Sequence, residues 1–317
     1  MSDGGPMTGA FDEAEMGGPP AGPPPWIDDT IQGKIEWRDG DVVVSVPPKS
    51  GTTWTMNIVH QLRSGGDASF ADIYAEVPWL EILPRPGVTS EELVASFDAM
   101  PSDRRRAFKT HAGPPTLPFQ RAGAGPDVRY VVVVRNPDEA VASFRPFILS
   151  HSDAWFDLWE VPKGALVGPD FETYFQGIGS HAVVPMIYGM IAAWWPLRNE
   201  PNVLFVHFSD LKRDPGTTIR TIAEFLDFEV TDDQWPSVLE HSSFEWMKAQ
   251  EDKFELRSVS DMEILNPGAM IRKGQVGASA EDGITPAISA AIAGIGEEIL
   301  GDAAALAWCF EGGPLPD

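Results

Sequence analysis

The sequence predicts an α/β fold: a single domain with a central, mostly parallel sheet flanked by helices. Three β-rich runs lie far apart in the chain, at residues 42–46, 130–134 and 203–207. The first two are continuous apolar stretches, as expected for strands that are buried on both faces of a parallel sheet. Helical patterns lie between and after these runs, and this alternation is typical of α/β folds.

Three segments carry the helical patterns. Residues 52–63 follow the first strand, a second pattern starts at Asp138, and a third covers residues 214–228 with Ile219, Ile222 and Leu226 at helical spacing. We expect long irregular segments at residues 76–87 and 250–283. Loops of that length in a compact domain are usually functional or disordered.

Composition predicts the extent of the domain. The chain has 317 residues, of which 43% are hydrophobic, and this is enough for one large domain. Residues 1–25 are rich in Gly and Pro, so we predict a disordered tail before a folded domain at residues 26–317.

The first residues of the sequence show no signal-peptide pattern. The apolar stretch at residues 183–197 contains Pro185, Gly189 and Pro196 and is short for a membrane span, so we expect a cytoplasmic protein without membrane insertion.

Net charge and cysteine content exclude several classes of partner. The formal net charge of -24 argues against binding to a nucleic-acid polymer, since such binding needs surplus Lys and Arg. Any bound anion must therefore meet a local cluster of positive charge. Cys309 is the only cysteine, so there is no intramolecular disulfide and no zinc site built on cysteines. No histidine spacing indicates a metal site.

The segment VVVSVPPKSGTTW predicts an anion-binding loop between a strand and a helix. The N-terminus of the helix offers unpaired N–H groups and the positive end of its dipole. Gly51 permits a close approach of the backbone, and Lys49 adds a charge. In the Walker A loop of ATPases the lysine follows the last glycine, whereas here it precedes Gly51. This order weakens an ATPase or kinase interpretation.

The heptapeptide PKSGTTW resembles the 5′-phosphosulfate loop of the cytosolic-type sulfotransferases. These enzymes use 3′-phosphoadenosine 5′-phosphosulfate (PAPS) and release adenosine 3′,5′-bisphosphate (PAP). The resemblance implies a P-loop-like α/β fold and assigns the binding of the phosphosulfate to Lys49, Ser50, Gly51, Thr52 and Thr53.

Two further segments resemble the family's site for the 3′-phosphate. In YVVVVRNPDEAVASF, Arg135 ends the strand and Ser143 follows at the family's spacing. Taken alone, Arg135 would be a surface ion pair with Asp138 or Glu139. In MIRKGQVG, the family's R-K-G-x-x-G pattern assigns phosphate contacts to Arg272, Lys273 and Gly274. The family's following Asp-Trp-Lys is replaced by Ala-Ser-Ala at residues 278–280, so the sequence departs from the family's pattern at this point.

Aromatic positions match the family's purine-binding wall. Trp54 stands where the family has a stacking Trp, and Phe208 stands where many members have a Tyr. The segment HSSFEWM resembles the family's T-S-F-x-x-M stretch. The resemblance therefore adds to the nucleotide site Trp54, Phe208, Ser242, Phe244 and Met247.

The segment RAFKTHAGP resembles the family's K-T-H motif, in which the His removes the proton of the acceptor hydroxyl. This assigns His111 as the catalytic base, and imidazole suits that role because its ordinary pKa of ~6.5 is close to neutral pH. Lys49, assisted by Lys109, would neutralise the charge that develops on the leaving phosphate. No metal is required.

The acceptor site is predicted from apolar residues. EVPWLEIL resembles the family's gating segment and places Trp79 and Ile82 at the pocket, with His111 and Phe147 beside the acceptor. A second group of aromatics, Trp155, Phe156 and Trp159, follows. These aromatics indicate a small hydrophobic or aromatic hydroxyl compound as the acceptor. A homodimer is a candidate assembly.

Two other functions remain open at this point. An ATP-dependent phosphotransferase would need Mg²⁺ and a Walker-type loop. A nucleotide-binding protein without turnover would fit the missing Asp-Trp-Lys but not the presence of Lys49 and His111.

Overall fold

The sheet within the described residues has four parallel strands in the order β2-β1-β3-β4. This computed structural model describes residues 24–272, 274, 277 and 279–316. The strands are β1 (Val42–Ser45), β2 (Ala107–Thr110), β3 (Arg129–Val134) and β4 (Val203–His207). The predicted α/β class with a mostly parallel sheet is thereby confirmed. The predicted tail lies, as far as residue 23, outside the described residues.

Strand β2 is the strand that sequence patterns did not predict. Its four residues include Lys109 and Thr110, so it lacks the unbroken apolar run of β1 and β3. All four are nevertheless buried, and β2 pairs along its whole length with β1. Its polar residues are tolerated because they stand at the carboxyl end of the strand, where the sheet borders a cleft.

Helices connect and cover the strands. The three predicted helices correspond to α1 (Thr52–Ser64), α4 (Pro137–Leu149) and α10 (Pro215–Leu226). The other α-helices among the described residues are α2 (Ile73–Glu76), α3 (Ser90–Asp98), α5 (Asp153–Trp159), α6 (Lys163–Val167), α7 (Phe171–Tyr174), α8 (Val184–Trp194), α9 (Phe208–Arg213), α11 (Trp235–His241), α12 (Phe244–Ala249), α13 (Pro286–Leu300) and α14 (Ala303–Glu311). Short 3₁₀ helices lie at Ile31–Lys34, Trp195–Leu197, Glu251–Phe254 and Ser279–Asp282, and a π-helix at Phe175–Val183.

Both faces of the sheet are packed. Val42 and Val44 of β1 point into one hydrophobic core, which Ile58 of α1 and Ile222 of α10 complete. Val43 points into the core on the opposite face, beside residues of α8 and α13. Alternate residues of one strand are therefore both buried, which explains the unbroken apolar run in the sequence.

One helical stretch is longer than the sequence suggested. Phe171–Leu197 is helical over 27 residues apart from a kink at Gly177, whose ψ is -112°. By length and composition alone the stretch is long and apolar enough to cross a membrane. The prolines that were expected to interrupt it stand in first turns, Pro185 in α8 and Pro196 in the next 3₁₀ helix. Proline is tolerated at such positions because its missing N–H is not needed there. Tyr188 and Trp194 of this stretch are fully buried in the core.

The strand register brings the carboxyl ends of the strands to one edge. Ser45 at the end of β1 lies opposite Thr110 of β2 and Val132 of β3, and Val134 lies opposite His207 of β4. The residues that follow the four strands therefore emerge side by side. In open α/β sheets this edge is the usual location of the ligand site.

Candidate active site

A cleft of about 1460 Å³, which includes its open mouth, lies at this edge of the sheet. It collects residues from distant parts of the chain, and most of the residues predicted from the sequence line it. Those are Lys49, Gly51, Thr52, Thr53, Trp54, Trp79, Lys109, His111, Arg135, Ser143, Phe147, Phe208, Phe244, Met247, Arg272 and Gly274.

The loop between β1 and α1, here called the phosphate loop (residues 47–53), has two residues in the left-handed region. Lys49 has a φ of 63° and Gly51 a φ of 98°. Backbone that alternates between left- and right-handed conformations turns successive N–H groups toward one point and so forms an anion-binding concavity. The loop thus has the backbone shape that binding of a phosphate or sulfate requires.

The first turn of α1 also leaves hydrogen-bonding capacity for an anion. Gly51 is the N-cap and offers no side chain to the N–H groups of the first turn. Within the described residues, the hydroxyl Oγ1 of Thr52 is buried and has no hydrogen-bond partner. Unsatisfied buried polar atoms are rare in folded proteins. A tetrahedral oxyanion bound at this helix end would satisfy both groups.

Lys49 is a poorly solvated cation beside this loop. Its Nζ lies 3.9 Å from the centre of the Phe147 ring. Burial, reinforced by the positive charges of Arg135 and Arg272, lowers the pKa of Lys49 to about 7. A bound anion would reverse this effect, because an opposite charge nearby favours the charged form of the amine.

Two arginines line the cleft, and each is paired with a carboxylate. Arg135 Nε lies 2.9 Å from Glu139 Oε2, and Arg135 also donates to the carbonyl oxygen of Lys49. Arg272 contacts Asp282 through both terminal nitrogens. The ion pair with Glu139 that the sequence allowed for Arg135 is therefore present, but it lies inside the cleft and not on an unrelated surface.

An aromatic wall follows the phosphate loop. Trp54 and Phe208 meet edge to face with ring centres 5.7 Å apart, and the indole N–H of Trp54 donates to the carbonyl oxygen of Ser242. Lys212 Nζ lies 5.3 Å from the centre of the Phe244 ring. Such rings offer flat apolar faces on which a base can stack.

His111 follows β2 directly and is held in one tautomer. Its Nδ1 lies 2.5 Å from the carbonyl oxygen of Val46, which can only accept, so Nδ1 carries the proton. Burial, with added repulsion from Lys109 and Lys49, keeps the pKa of His111 well below its ordinary value. The ring is therefore neutral, and Nε2 is the basic nitrogen.

Lys109 and Trp79 stand beside this histidine. The segment around Trp79 pairs with β2 through the bonds between Leu80 N and Lys109 O and between Lys109 N and Pro78 O. Lys109 Nζ lies 2.7 Å from the centre of the Trp79 ring, and Trp79 meets His111 edge to face. Burial lowers the pKa of Lys109 well below its ordinary value, although the carboxylate of Glu81 opposes that shift.

Some predicted residues do not line the cleft. Ser50 and Ser242 are buried behind it, and Ile82 pairs with Ile27 in an isolated bridge. Lys273 lies outside the described residues. The aromatics of α5, which the sequence suggested for the acceptor, are core residues: Trp155 and Trp159 pack against Trp26.

The structure adds residues that the sequence did not assign to the site. Tyr74, Glu139, Lys212 and Asp282 line the cleft. Glu81 is buried at 3% exposure and accepts a 2.6 Å hydrogen bond from the backbone N–H of His111. The one available signal for Glu81 was an acidic residue inside the apolar segment EVPWLEIL, because a buried carboxylate needs a partner.

The comparisons with known proteins agree with this geometry. The family model described as "Sulfotransferase domain" matches residues 39–303. Sulfotransferase 1 family member D1 of Mus musculus is 30% identical over 219 residues, which is 68% of each chain. Sulfotransferase 2A1 of Homo sapiens is 27% identical over 248 residues, covering 76% of this chain and 77% of the human one.

Solved structures show the same fold. Mouse sulfotransferase SULT7A1, complexed with PAP, has a TM-score of 0.66 at 17% identity and covers 90% of this chain and 94% of its own. A retinol dehydratase in complex with retinol and PAP has a TM-score of 0.65 at 21% identity, covering 85% and 83%.

The fold and the cleft define a sulfotransferase. The chain belongs to the sulfotransferase domain family, which confirms the predicted family and enzyme class. It is a PAPS-dependent enzyme that transfers a sulfuryl group to a hydroxyl acceptor, and the phosphotransferase alternative is set aside. Among the described residues there is no group of three or more His, Cys, Asp or Glu side chains that could hold a metal ion.

Proposed function

We propose that the phosphate loop binds the 5′-phosphosulfate of PAPS. The residues fit this group because the buried hydroxyl of Thr52 has no partner in the described chain and Lys49 is a buried amine. Ser50 is assigned to the same loop through its backbone. The anion would complete hydrogen bonds that the protein leaves open, and its charge would restore the ordinary protonation of Lys49.

The 3′-phosphate belongs at the second cluster of cations. Arg135 follows the end of β3, Ser143 belongs to α4, and Arg272 lines the same cleft, joined in the resemblance by Lys273 and Gly274. Arginine suits this role because its planar fork donates two parallel hydrogen bonds to one phosphate. The distance from the phosphate loop is bridged by the nucleoside.

The purine stacks on the aromatic wall. Trp54, Phe208 and Phe244 provide ring faces, and Met247 provides an adaptable apolar contact. Phe208 lacks the hydroxyl of the Tyr that many family members have, so adenine is held here by stacking rather than by a hydrogen bond at that position. Ser242 contributes through its carbonyl oxygen, which fixes the indole of Trp54.

His111 acts as the general base. PAPS supplies an activated sulfuryl group, and transfer needs an aligned nucleophile and a neutralised leaving oxygen. Nε2 of His111 takes the proton of the acceptor hydroxyl, while Val46 holds Nδ1–H and so fixes the orientation of the ring. Lys49, with Lys109 nearby, stabilises the negative charge that develops on the departing bisphosphate.

The acceptor is a small hydrophobic or aromatic hydroxyl compound. Trp79 packs edge to face on His111, and the same cleft is lined by the rings of Phe147 and Tyr74 and by Leu256 and Met270. Ile82 belongs to the same segment as Trp79 and pairs with Ile27 in an isolated bridge. An apolar wall of this kind favours flat or aliphatic molecules over sulfated polysaccharides, which need basic surfaces.

The observation that carries the proposal is the state of His111. A neutral imidazole with a fixed tautomer lies in the same cleft as an open phosphate loop and a buried lysine.

The long helix Phe171–Leu197 packs Tyr188 and Trp194 into the core, which favours a core helix of a soluble, cytoplasmic protein over membrane insertion. We assign residues 26–317 to the catalytic domain and name a homodimer as the assembly to test.

Thermal-shift and calorimetric titrations with PAP, PAPS, ATP and ATP plus Mg²⁺ test the nucleotide assignment. We expect PAP and PAPS to raise the melting temperature without metal, since a ligand of the folded state stabilises it by mass action. Sulfation of a series of phenols and aliphatic alcohols then tests turnover. Stabilisation by Mg-ATP alone, with no heat from PAP, would refute the proposal.

A further inference from the structure

Arg135 and Arg272 of the cleft are each paired with a carboxylate, but the two pairs differ in which guanidinium nitrogens make the contact. Glu139 is a buried residue of α4 that contacts Nε of Arg135 and also accepts the backbone N–H of Gly277. It therefore braces Arg135 and the segment that contains Gly277. Its contact is made through the inner nitrogen of the guanidinium and not through both ends of the fork.

Asp282 occupies the terminal fork of Arg272. Its Oδ1 lies 3.2 Å from Nη1 and its Oδ2 lies 2.8 Å from Nη2. Both residues line the cleft, with side-chain exposures of 35% for Arg272 and 15% for Asp282. A phosphate that binds Arg272 in a bidentate manner would need the same two nitrogens. The carboxylate and the phosphate therefore compete for one guanidinium.

The surrounding charge makes this competition selective for a phosphate. Arg272 lies close enough to Arg135 and Lys49 to lower the pKa of both. A dianion in this region is attracted by all three cations. Asp282 opposes that attraction, since it both occupies Arg272 and repels a second negative group.

We propose that Asp282 is a built-in competitor of the 3′-phosphate, which holds Arg272 in the nucleotide-free enzyme and thereby weakens the binding of PAP and speeds its release. The inference rests on the proposed nucleotide site. Binding of a 3′-phosphorylated nucleotide exchanges the Asp282 contact for a phosphate contact. A nucleotide with a free 3′-hydroxyl leaves the Arg272–Asp282 pair closed, so Asp282 acts on the first class of ligand alone.

The test compares PAP with AMP, its analogue without the 3′-phosphate, on the full chain carrying Asp282→Asn. Asparagine keeps the shape of the side chain but removes its charge. We expect PAP to bind roughly 5- to 20-fold more tightly and to dissociate more slowly, because an ion pair of this exposure and one like-charge repulsion are both removed. AMP affinity should stay within about 2-fold. Asp282→Ser should act in the same direction.

Asp261→Asn is the matched control. Asp261 is an exposed acid of the same long segment, it does not line the cleft, and its neutralisation changes the net charge by the same amount. A general effect of net charge would tighten PAP binding equally in both variants, and that result would overturn the proposal.

Three other results would also decide the matter. Weaker PAP binding in both Asp282 variants would show that Asp282 positions Arg272 for the phosphate, the opposite of competition. Unchanged PAP affinity in both Asp282 variants would show that breaking the Arg272–Asp282 pair costs no binding free energy, and Asp282 would then not be a competitor. If the wild-type protein itself bound no PAP, the nucleotide site as a whole would be wrong, and this failure is visible before any variant is made.

Discussion

Gly51 and Phe208 touch so closely that residue 51 has no room for a side chain. A Cβ atom on Gly51 would lie 2.7 Å from Cδ2 of Phe208, well inside van der Waals contact. The Phe208 ring cannot withdraw easily, because Trp54 packs against it edge to face and Cζ of Arg135 lies 4.7 Å from its centre. The phosphate loop and the aromatic wall are therefore held against each other through this contact.

We expect Gly51→Ala to lower both the stability of the protein and its affinity for PAP. The φ of 98° is strained for alanine, and the clash adds to it, so the loss of stability should be about 1 to 3 kcal/mol. Chemical denaturation and calorimetry measure the two effects. Gly33→Ala is the control, since its Cβ would meet nothing within 4 Å. Equal behaviour of the two variants would contradict the prediction.

Arg135→Ala should weaken PAP far more than AMP. A charge-assisted contact to the 3′-phosphate is worth about 1.5 to 3 kcal/mol, so we expect a loss of roughly 10- to 150-fold for PAP. Isothermal titration with both ligands measures the difference. Arg213→Ala serves as the control because Arg213 forms an exposed ion pair with Asp210. Equal weakening of PAP and AMP would mean that Arg135 supports the loop, through its bond to Lys49, and does not read the phosphate.

PAP affinity should fall as the pH rises above 7. The pKa of Lys49 is about 7 in the free protein, and a bound phosphate should raise it. Below pH 7 the amine is charged in both states, so affinity is independent of this group. Between pH 7 and the higher pKa of the complex, binding takes up a proton and affinity drops by up to tenfold per pH unit.

Calorimetry at pH 8 in buffers of different ionisation enthalpy counts that proton. The 5′-phosphate loses its own second proton near pH ~6, so it is already a dianion in this range. Lys49→Met should bind PAP weakly at every pH and take up no proton. Proton uptake that persists in Lys49→Met would assign the titration to another group.

His111→Ala should abolish most of the turnover while leaving PAP affinity nearly intact. A positioned general base is typically worth roughly 10²- to 10⁴-fold, and the loss should appear mainly in kcat. It should be smaller for acidic phenols than for aliphatic alcohols, since an acidic phenol ionises without help. Rates across phenols of graded acidity, with PAP titrations in parallel, measure this.

His181→Ala is the comparison variant, since His181 is an exposed histidine of the π-helix. It should resemble the wild type in both assays. Normal turnover in His111→Ala would remove this residue from the mechanism. Joint loss of turnover and PAP binding would make His111 a structural histidine of the nucleotide site.

The sequence by itself determined the fold class and predicted the phosphate loop. The buried strands at residues 42–46 and 130–134 are visible because strands covered on both faces must be apolar at every position. The loop is visible because an anion site at a strand–helix junction needs glycine, hydroxyls and lysine within a few consecutive residues. Both signals depend on residues that are neighbours in the chain, so they can be recognised from the sequence without knowledge of the fold.

The tertiary structure decided which residues share the cleft and how they are charged. Strand β2 was missed because Lys109 and Thr110 are polar, and its burial depends on β1, which lies more than sixty residues away in the chain. The sequence left open whether Trp155 and Trp159 of α5 line the acceptor site or fill the core, and in the structure both pack on Trp26, because apolar side chains that line a pocket and those that fill a core have the same composition. The pairs of Arg135 with Glu139 and of Arg272 with Asp282, and the low pKa of Lys49, arise only when distant groups are brought together and desolvated. Electrostatic energy depends on the distance between charges and on their exposure to water, and neither quantity is fixed until the chain has folded.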